Sequence, residues 1–352
     1  MPFNYISVAS KLVEWYSHNK RDLPWRNTSD PYKIWVSEIM LQQTTVRQGL
    51  PYYQRFIARF PDVFSLASAP EDEILKLWEG LGYYSRARNM HYSAQLICQE
   101  MAGSFPKEYK AIKSLKGVGD YTAAAIASIA FGLSYPVVDG NVIRVISRLL
   151  NIKEPVDTKE VLNKIYDASG LLINGQPPSE YNQAIMELGA LVCTPKSPKC
   201  DNCPVSSFCE AYKLGTVSSI PIKSKKIKKR ARFFNYFIIE SNGKIILQKR
   251  TEKDIWNGLY QFPLLEVEKS DFISEPKAYP LNFETPPNIE FDSRIYKQTL
   301  THQHIHARFY HINSPLPKLP PSYILVNKVT LSGYAFPKVI DLYLNDKSIP
   351  LF

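Results

Sequence analysis

The sequence predicts a multi-domain protein, all-α in its first part and α+β in its second. From the start to about residue 215, apolar residues recur at helical spacing with polar breaks between segments. Residues 216–232, TVSSIPIKSKKIKKRAR, then carry seven basic residues, no acidic one and no apolar period, which reads as an exposed linker. Beyond it the spacing turns alternating, as in strands with one buried face. At 352 residues the chain is long enough for two or three domains, each with its own core.

Before residue 105 the helices are KLVEWYSHN, DPYKIWVSEIMLQQT, VRQGLPYYQRFIARF, PEDEILKLWEG and RARNMHYSAQLICQEM. The next stretch, YKAIKSLKGVGDYTAAAIASIAFG, reads as two helices joined by Gly117-Val118-Gly119. Its glycines allow positive φ and close approach of backbone to a ligand, and the amides opening the second helix form an anion site. An ordinary helix connection would look the same in isolation. A further helix, VIRVISRLL, starts near Gly140. In the second part RFFNYFIIE and KIILQKR flank Ser241-Asn242-Gly243, a hairpin signal. Strands recur in RIYKQTLTHQHIHARFYHI, with a helix at PKVIDLYLN.

Four of the five cysteines fall within seventeen residues, as Cys193-x6-Cys200-x2-Cys203-x5-Cys209. Four thiolates on a short loop hold zinc or an iron–sulfur cluster. Structural zinc loops pair their ligands as two short knuckles, and gaps of six, two and five leave only one, which favours iron–sulfur. Two disulfides would need an oxidising compartment. No signal peptide or membrane-length apolar run supports one, so an intracellular chain is expected. Cys98 stands apart and reads as a small buried hydrophobe.

The formal charge of +10, from 43 basic and 33 acidic residues, points to a polyanionic partner. Lys196 and Lys199 lie between the first two cysteines, where a rigid metal site would hold them against phosphates; two solvated lysines is the plainer reading.

Two carboxylates carry the prospect of chemistry. Asp139, in Val137-Val138-Asp139-Gly140-Asn141, sits where a helix N-cap belongs, and the helix end is expected to lower its pKa and keep it ionised. Glu38, in WVSEIMLQQT, has apolar neighbours and no basic residue three or four positions away. Such surroundings raise a carboxyl pKa and suit a proton donor, although from the segment alone a solvent-facing glutamate is the better reading. Together they read as an acid and an anion in contrasting environments.

These segments resemble the adenine DNA glycosylases of the MutY family, within the endonuclease III helix-hairpin-helix superfamily. The resemblance rests on Leu23-Pro24-Trp25-Arg26, Trp35 through Thr44, Leu81-Gly82-Tyr83-Tyr84-Ser85, Gly117 through Ala123, Val138 through Val142, YNQAIMELGALVC and the cysteine spacing. It implies an all-α helix-hairpin-helix glycosylase core with an iron–sulfur loop, followed by an α+β MutT-like domain of Nudix fold. The implied divisions are a six-helix domain at about 24–139, an iron–sulfur domain from 1–23 and 140–215, the linker 216–232, and a lesion-recognition domain at 233–352.

It further implies a monofunctional enzyme, monomeric, cytoplasmic and bound to the bacterial nucleoid, that removes adenine opposite 8-oxoguanine or guanine in double-stranded DNA. Glu38 would protonate adenine N7, and Asp139 would stabilise the oxocarbenium-like sugar, directly or through a transient covalent adduct, as two carboxylates do in glycoside hydrolysis. Tyr121 stands beside them, where bifunctional relatives carry a Schiff-base lysine. The preceding Asp120 is no substitute for that lysine, so strong lyase activity is not expected. Gly117 and Gly119 would hold a DNA phosphate, and Lys196 and Lys199 the backbone near one structural four-iron four-sulfur cluster. Tyr83 would intercalate and Gln43 fill the duplex once adenine is extruded, with Arg26, Leu41 and Gln183 about the base. Gln183 occupies a position where the family varies between glutamine and glutamate.

In the second domain IWNGLYQFPLLEVE stands where Nudix proteins carry W-G-x-x-x-F-P-G-G, and no glutamate-rich box follows to hold magnesium. The domain should bind rather than hydrolyse. Its expected ligand is 8-oxoguanine, read by Leu300-Thr301-His302 where many relatives have Phe-Ser-His; threonine keeps the hydroxyl and leucine loses the ring. His302, His304 and His306 alternate along a strand, where hydrogen bonding is a better reading than metal binding, since no carboxylate or cysteine accompanies them. The alternatives are a bifunctional pyrimidine glycosylase with lyase activity and a non-catalytic iron–sulfur DNA-binding protein; Tyr121 and the second domain argue against the first, and Glu38 and Asp139 against the second.

Overall fold

Asn4 opens the first helix: its side-chain oxygen accepts the Ser7 amide at 3.0 Å, satisfying a donor that the helix start leaves unpaired. The structure, a computed structural model, describes residues 3–224, 228–272, 275–285 and 287–346. It divides into two units, Met1–Ser68 with Asn89–Lys226, and Ala69–Arg88 with Ile227–Phe352. Among the described residues no helix is long and apolar enough to cross a membrane.

In chain order the helices are α1 (Tyr5–Asn19), α2 (Pro31–Leu41), α3 (Val46–Arg59), α4 (Val63–Ser68), α5 (Glu71–Leu77), α6 (Ser85–Met101), α7 (Tyr109–Ser114), α8 (Asp120–Phe131), α9 (Gly140–Leu149), α10 (Lys159–Ile173), α11 (Pro178–Leu191) and α12 (Glu210–Lys213). Helix α8 is apolar all round, with Thr122 through Ser128 buried. Its run of alanines lets α2, α7 and α11 pack closely against it. The first unit's core joins α1, α8, α9, α10 and α11 through Leu12, Ala125, Val142, Ile146, Ile165 and Ile185.

Between α7 and α8, Gly117 has φ +84°, and an added Cβ would lie 2.9 Å from the Asn89 Cβ, so only glycine fits. Gly119 differs from expectation. It caps α8 at φ −93°, extended backbone open to any residue, with nothing within 4 Å of an added Cβ. Cys98 is half-buried, not enclosed. Part of the basic stretch is docked: Ile220 is buried and its carbonyl accepts from Arg148 Nε at 2.9 Å, while Val156 N donates to the Ile222 carbonyl at 2.9 Å. Lys225, Lys226 and Ile227, at the centre of the expected linker, lie outside the described residues.

The second unit holds β1 (Arg230–Ser241), β2 (Lys244–Lys249), β3 (Tyr260–Gln261), β4 (Leu264–Val267), α13 (Lys269–Phe272), β5 (Asn288–Asp292), β6 (Tyr296–Thr299), β7 (Gln303–Asn313), β8 (Tyr323–Asn327) and α14 (Lys338–Leu344). The sheet runs β3-β2-β1-β7-β5, with β4 on β1, β6 on β7 and β8 on β2. Asn242 (φ 52°) and Gly243 (φ 71°) make the two-residue β1–β2 turn, which sets Ser241 opposite Lys244. The central pair, β1 with β7, is parallel from Arg230↔Gln303 onward and buried on both faces. One face packs Phe237, Ile239, Tyr310 and Ile312; on the other, Tyr236, Phe309 and Tyr343 stack in series.

Candidate active site and cysteine loop

Helix α2 turns Glu38 inward, where its residue is 6 % exposed, so the surface reading of this glutamate does not hold. Tyr121, in the first turn of α8, donates to Glu38 Oε2 at 2.7 Å and lies 3.4 Å from Met186 Sδ. Burial pushes the Glu38 carboxyl up to about 7; the Tyr121 bond and Arg26 pull it down, and the Asp139 charge adds to the rise. Burial likewise raises Tyr121 well above the usual phenol range, so it stays a donor.

Asp139 is the N-cap of α9. Its Oδ1 accepts the Asn141 and Val142 amides at 2.9 and 2.8 Å, and its Oδ2 accepts Asn141 Nδ2 at 2.7 Å. The expected lowering of its pKa is overturned. Burial raises it, and these hydrogen bonds oppose that shift without reversing it. Asn141 is pressed into place by α11, because an added Cβ at Gly189 would lie 2.6 Å from the Asn141 Cβ.

Glu38, Tyr121 and Asp139 line one cavity of about 640 Å³, together with Arg26, Leu41, Gln43 and Gln183. Several of these side chains are already engaged. Arg26 donates to both Glu187 oxygens at 2.8 and 2.7 Å, and Gln183 accepts from Tyr16 Oη at 3.0 Å while donating to Ser179 Oγ at 3.1 Å. Gln43 is exposed and left-handed, at φ 56°, an arrangement that costs energy in a non-glycine residue; the neighbouring Gln42 amide is tied to Thr122 Oγ1 at 3.1 Å.

Glu187 went unmarked in the sequence. It is 1 % exposed and also accepts from Arg21 Nε and Nη2 at 2.9 and 2.6 Å. Burial raises its carboxyl, but the Arg26 and Arg21 bonds prevail and bring it down to about 2. No local spacing signals this, since its partners lie far away in the chain.

Cys193, Cys200, Cys203 and Cys209 line a single small cavity with Arg148, and none is in a disulfide. A four-thiol set fits a thiophilic metal centre. Among the described residues, no three His, Cys, Asp or Glu side chains stand as a ready-made site for one ion. Arg144 and Arg148, also unmarked in the sequence, are buried and four apart on α9. Arg144 Nε donates to the Cys193 carbonyl at 2.7 Å, and Arg148 Nη1 to the Thr194 carbonyl at 2.8 Å and the Cys193 sulfur at 3.3 Å. Lys196 and Lys199 are exposed on this loop.

In the second unit Tyr83 is 44 % exposed at φ 50°, between Gly80, Gly82 and Arg86, and its hydroxyl is bonded to Thr301 Oγ1. Thr301 and His302 are exposed in the β6–β7 turn, closed by Leu300 N donating to the Gln303 carbonyl at 2.8 Å. With Tyr83 and Trp256 they line a cavity of about 440 Å³. His304 shares a hydrogen bond with Thr299 Oγ1 at 3.1 Å, and His306 stacks on Phe233.

Residues 36–168 match the HhH-GPD superfamily of base excision DNA repair proteins, residues 235–346 the NUDIX domain, and residues 193–209 the iron–sulfur binding domain of endonuclease III. The cysteine loop is therefore an iron–sulfur site. The adenine DNA glycosylase of Buchnera aphidicola subspecies Schizaphis graminum is 40% identical over 268 residues, covering 75% of this chain and 76% of that one. That of subspecies Acyrthosiphon pisum is 34% identical over 316 residues, covering 89% and 87%. A thermostable thymine-DNA glycosylase superposes with TM-score 0.54 at 30% identity, covering 59% of this chain and 95% of that one. Endonuclease III in a non-covalent DNA complex superposes with TM-score 0.51 at 22% identity, covering 59% and 94%, a likeness of fold. Helical repair core, iron–sulfur loop, NUDIX domain and relatives matched over most of their length agree, and the chain belongs to the adenine DNA glycosylase family.

Proposed function

We propose that this DNA glycosylase is monofunctional and hydrolyses the N-glycosidic bond of adenine paired with 8-oxoguanine or guanine, leaving an abasic site. The observation that carries the reading is the shared cavity of a buried Glu38 carboxyl and a half-buried Asp139 carboxyl with different partners. Glu38 has a single hydroxyl donor and a pKa of about 7, so it holds a proton near neutrality and delivers it to adenine N7. The bond between N9 and C1′ then breaks with its electron pair leaving on the base. Positive charge develops on the sugar, beside Asp139. A carboxylate in a desolvated site attracts that charge more strongly than one in water would. Water adds to C1′ and gives its proton to the Glu38 carboxylate left by the first step, which completes hydrolysis and restores the acid.

Among the described residues lining the cavity there is no lysine, and Asp120 is engaged by Lys113 and Tyr109, which supports hydrolysis without a Schiff base. The Cys193, Cys200, Cys203 and Cys209 thiols would hold a four-iron four-sulfur cluster in a structural role, presenting Lys196 and Lys199 to phosphates. Gly117 and Gly119 would seat another phosphate at the start of α8. Gln43 and Tyr83, both strained and exposed, would enter the duplex, while Arg26, Leu41 and Gln183 bound the adenine space. Thr301 and His302 would read the opposite 8-oxoguanine. The protein would act as a monomer on double-stranded DNA in the bacterial cytoplasm.

Glu38→Gln tests the assignment. It should abolish adenine release in single-turnover assays while mismatch binding persists; normal turnover by the variant would refute it.

A further inference from the structure

Among the segments that line the cavity beside Thr301 and His302, with residues 80–85 and Arg88, are two facing walls, residues 254–257 and residues 298–303, and one guanidinium joins these two. Arg232, on β1, has a side chain only 11 % exposed. It donates to both Asp254 oxygens at 2.9 and 2.8 Å, to both Glu266 oxygens at 2.8 and 2.7 Å, and to Gln303 Oε1 at 3.3 Å. Asp254 belongs to the first wall. Gln303 closes the turn that presents Thr301 and His302 in the second.

The first wall is under strain and anchored from behind. Trp256 sits at φ 61°, a left-handed conformation unusual for a bulky residue and often found where structure serves recognition. Arg250 fixes the segment by donating to Asp254 Oδ2 at 2.9 Å and to the Ile255 carbonyl at 3.0 Å. Its guanidinium lies 6.0 Å from the centre of the Trp256 ring, and that ring meets Phe234 edge-on, which in turn carries Arg232 on its face. Arg232 and Arg250 face Asp254 and Glu266, so the charges are matched. The cluster needs no ligand of its own, and its consequence is geometric.

We propose that Arg232 is a positioning residue for specificity: through Asp254 and Gln303 it fixes the spacing of the two cavity walls and so sets the preference for 8-oxoguanine over guanine opposite adenine. This rests on the reading that Thr301 and His302 meet the lesion.

The test compares single-turnover adenine release from adenine:8-oxoguanine and adenine:guanine duplexes, using the full chain with its cluster. Arg232→Met should lower the ratio of the two rates by roughly tenfold, leaving the adenine:guanine rate within about twofold. Arg232→Lys, which keeps charge but loses the fork, should recover part of the ratio. Gln303→Ala cuts only the link to the turn and spares the charge cluster of Arg232, Asp254 and Glu266; it should lower the ratio even if Arg232→Met unfolds. An unchanged ratio in Gln303→Ala and in folded Arg232→Met, with a lowered one in Thr301→Ala/His302→Ala, would overturn the proposal and leave the lesion reading standing. If Thr301→Ala/His302→Ala is also without effect, the lesion reading fails and the proposal falls with it.

Discussion

The Tyr121 hydroxyl donates to Glu38 Oε2 at 2.7 Å, and this bond opposes the burial that raises the Glu38 pKa. The acid needed for base release is therefore tuned by opposing influences, of which burial is the largest and the Tyr121 bond the main one against it.

Base release should require protonated Glu38 and so fall as pH rises through about 7. Tyr121→Phe removes the hydrogen bond that most lowers the Glu38 pKa and leaves only the weaker pull of Arg26. Its falling limb should move to higher pH in a single-turnover pH–rate profile, whatever the loss in maximal rate. A limb displaced to lower pH would show that the bond serves another purpose.

The same shift bears on stability. A carboxyl raised from its ordinary 4.5 to about 7 favours the fold fully below the lower value and loses that contribution as pH rises through the higher one, on the order of 3 kcal/mol. Glu38→Gln carries no such penalty. Thermal unfolding should show the variant gaining on the wild type between pH 5 and pH 8.5, and parallel behaviour at the two pH values would contradict the buried, raised carboxyl.

Glu187 has the opposite sign. Held down to about 2 by Arg26 and Arg21, it supports the fold above its ordinary 4.5 and loses that support as pH falls through about 2. Glu187→Ala strands Arg26, whose side chain is 10 % exposed, and should cost about 3–5 kcal/mol in denaturant unfolding at neutral pH. A loss below about 1 kcal/mol would place the pair with ordinary surface bridges.

Much of this was legible in the sequence, and the remainder was hidden for physical reasons. The Asn242-Gly243 turn follows from local backbone preference, and the cysteine gaps from ligand chemistry, both readable over a few residues. Asp139 was legible as a cap but not in the direction of its shift. Capping is local, whereas its burial comes from packing around α9 and α11 that no local window contains. Glu187 looked like any helical glutamate because its partners lie 166 and 161 residues away. The placing of Ala69–Arg88 with the second unit is equally non-local, for PEDEILKLWEG reads as one more helix in a helical series.

Thr301→Ala with His302→Ala should reduce the preference for 8-oxoguanine over guanine while adenine excision continues. The check is the ratio of single-turnover rates on the two duplexes; an unchanged ratio would remove the β6–β7 turn from lesion recognition.

The most direct test is single-turnover incubation with a duplex carrying adenine opposite 8-oxoguanine, scored for free adenine and, separately, for strand breaks before and after alkali. Free adenine with breaks only after alkali is the predicted result. Breaks before alkali, or no adenine released by protein with its cluster intact, would contradict it.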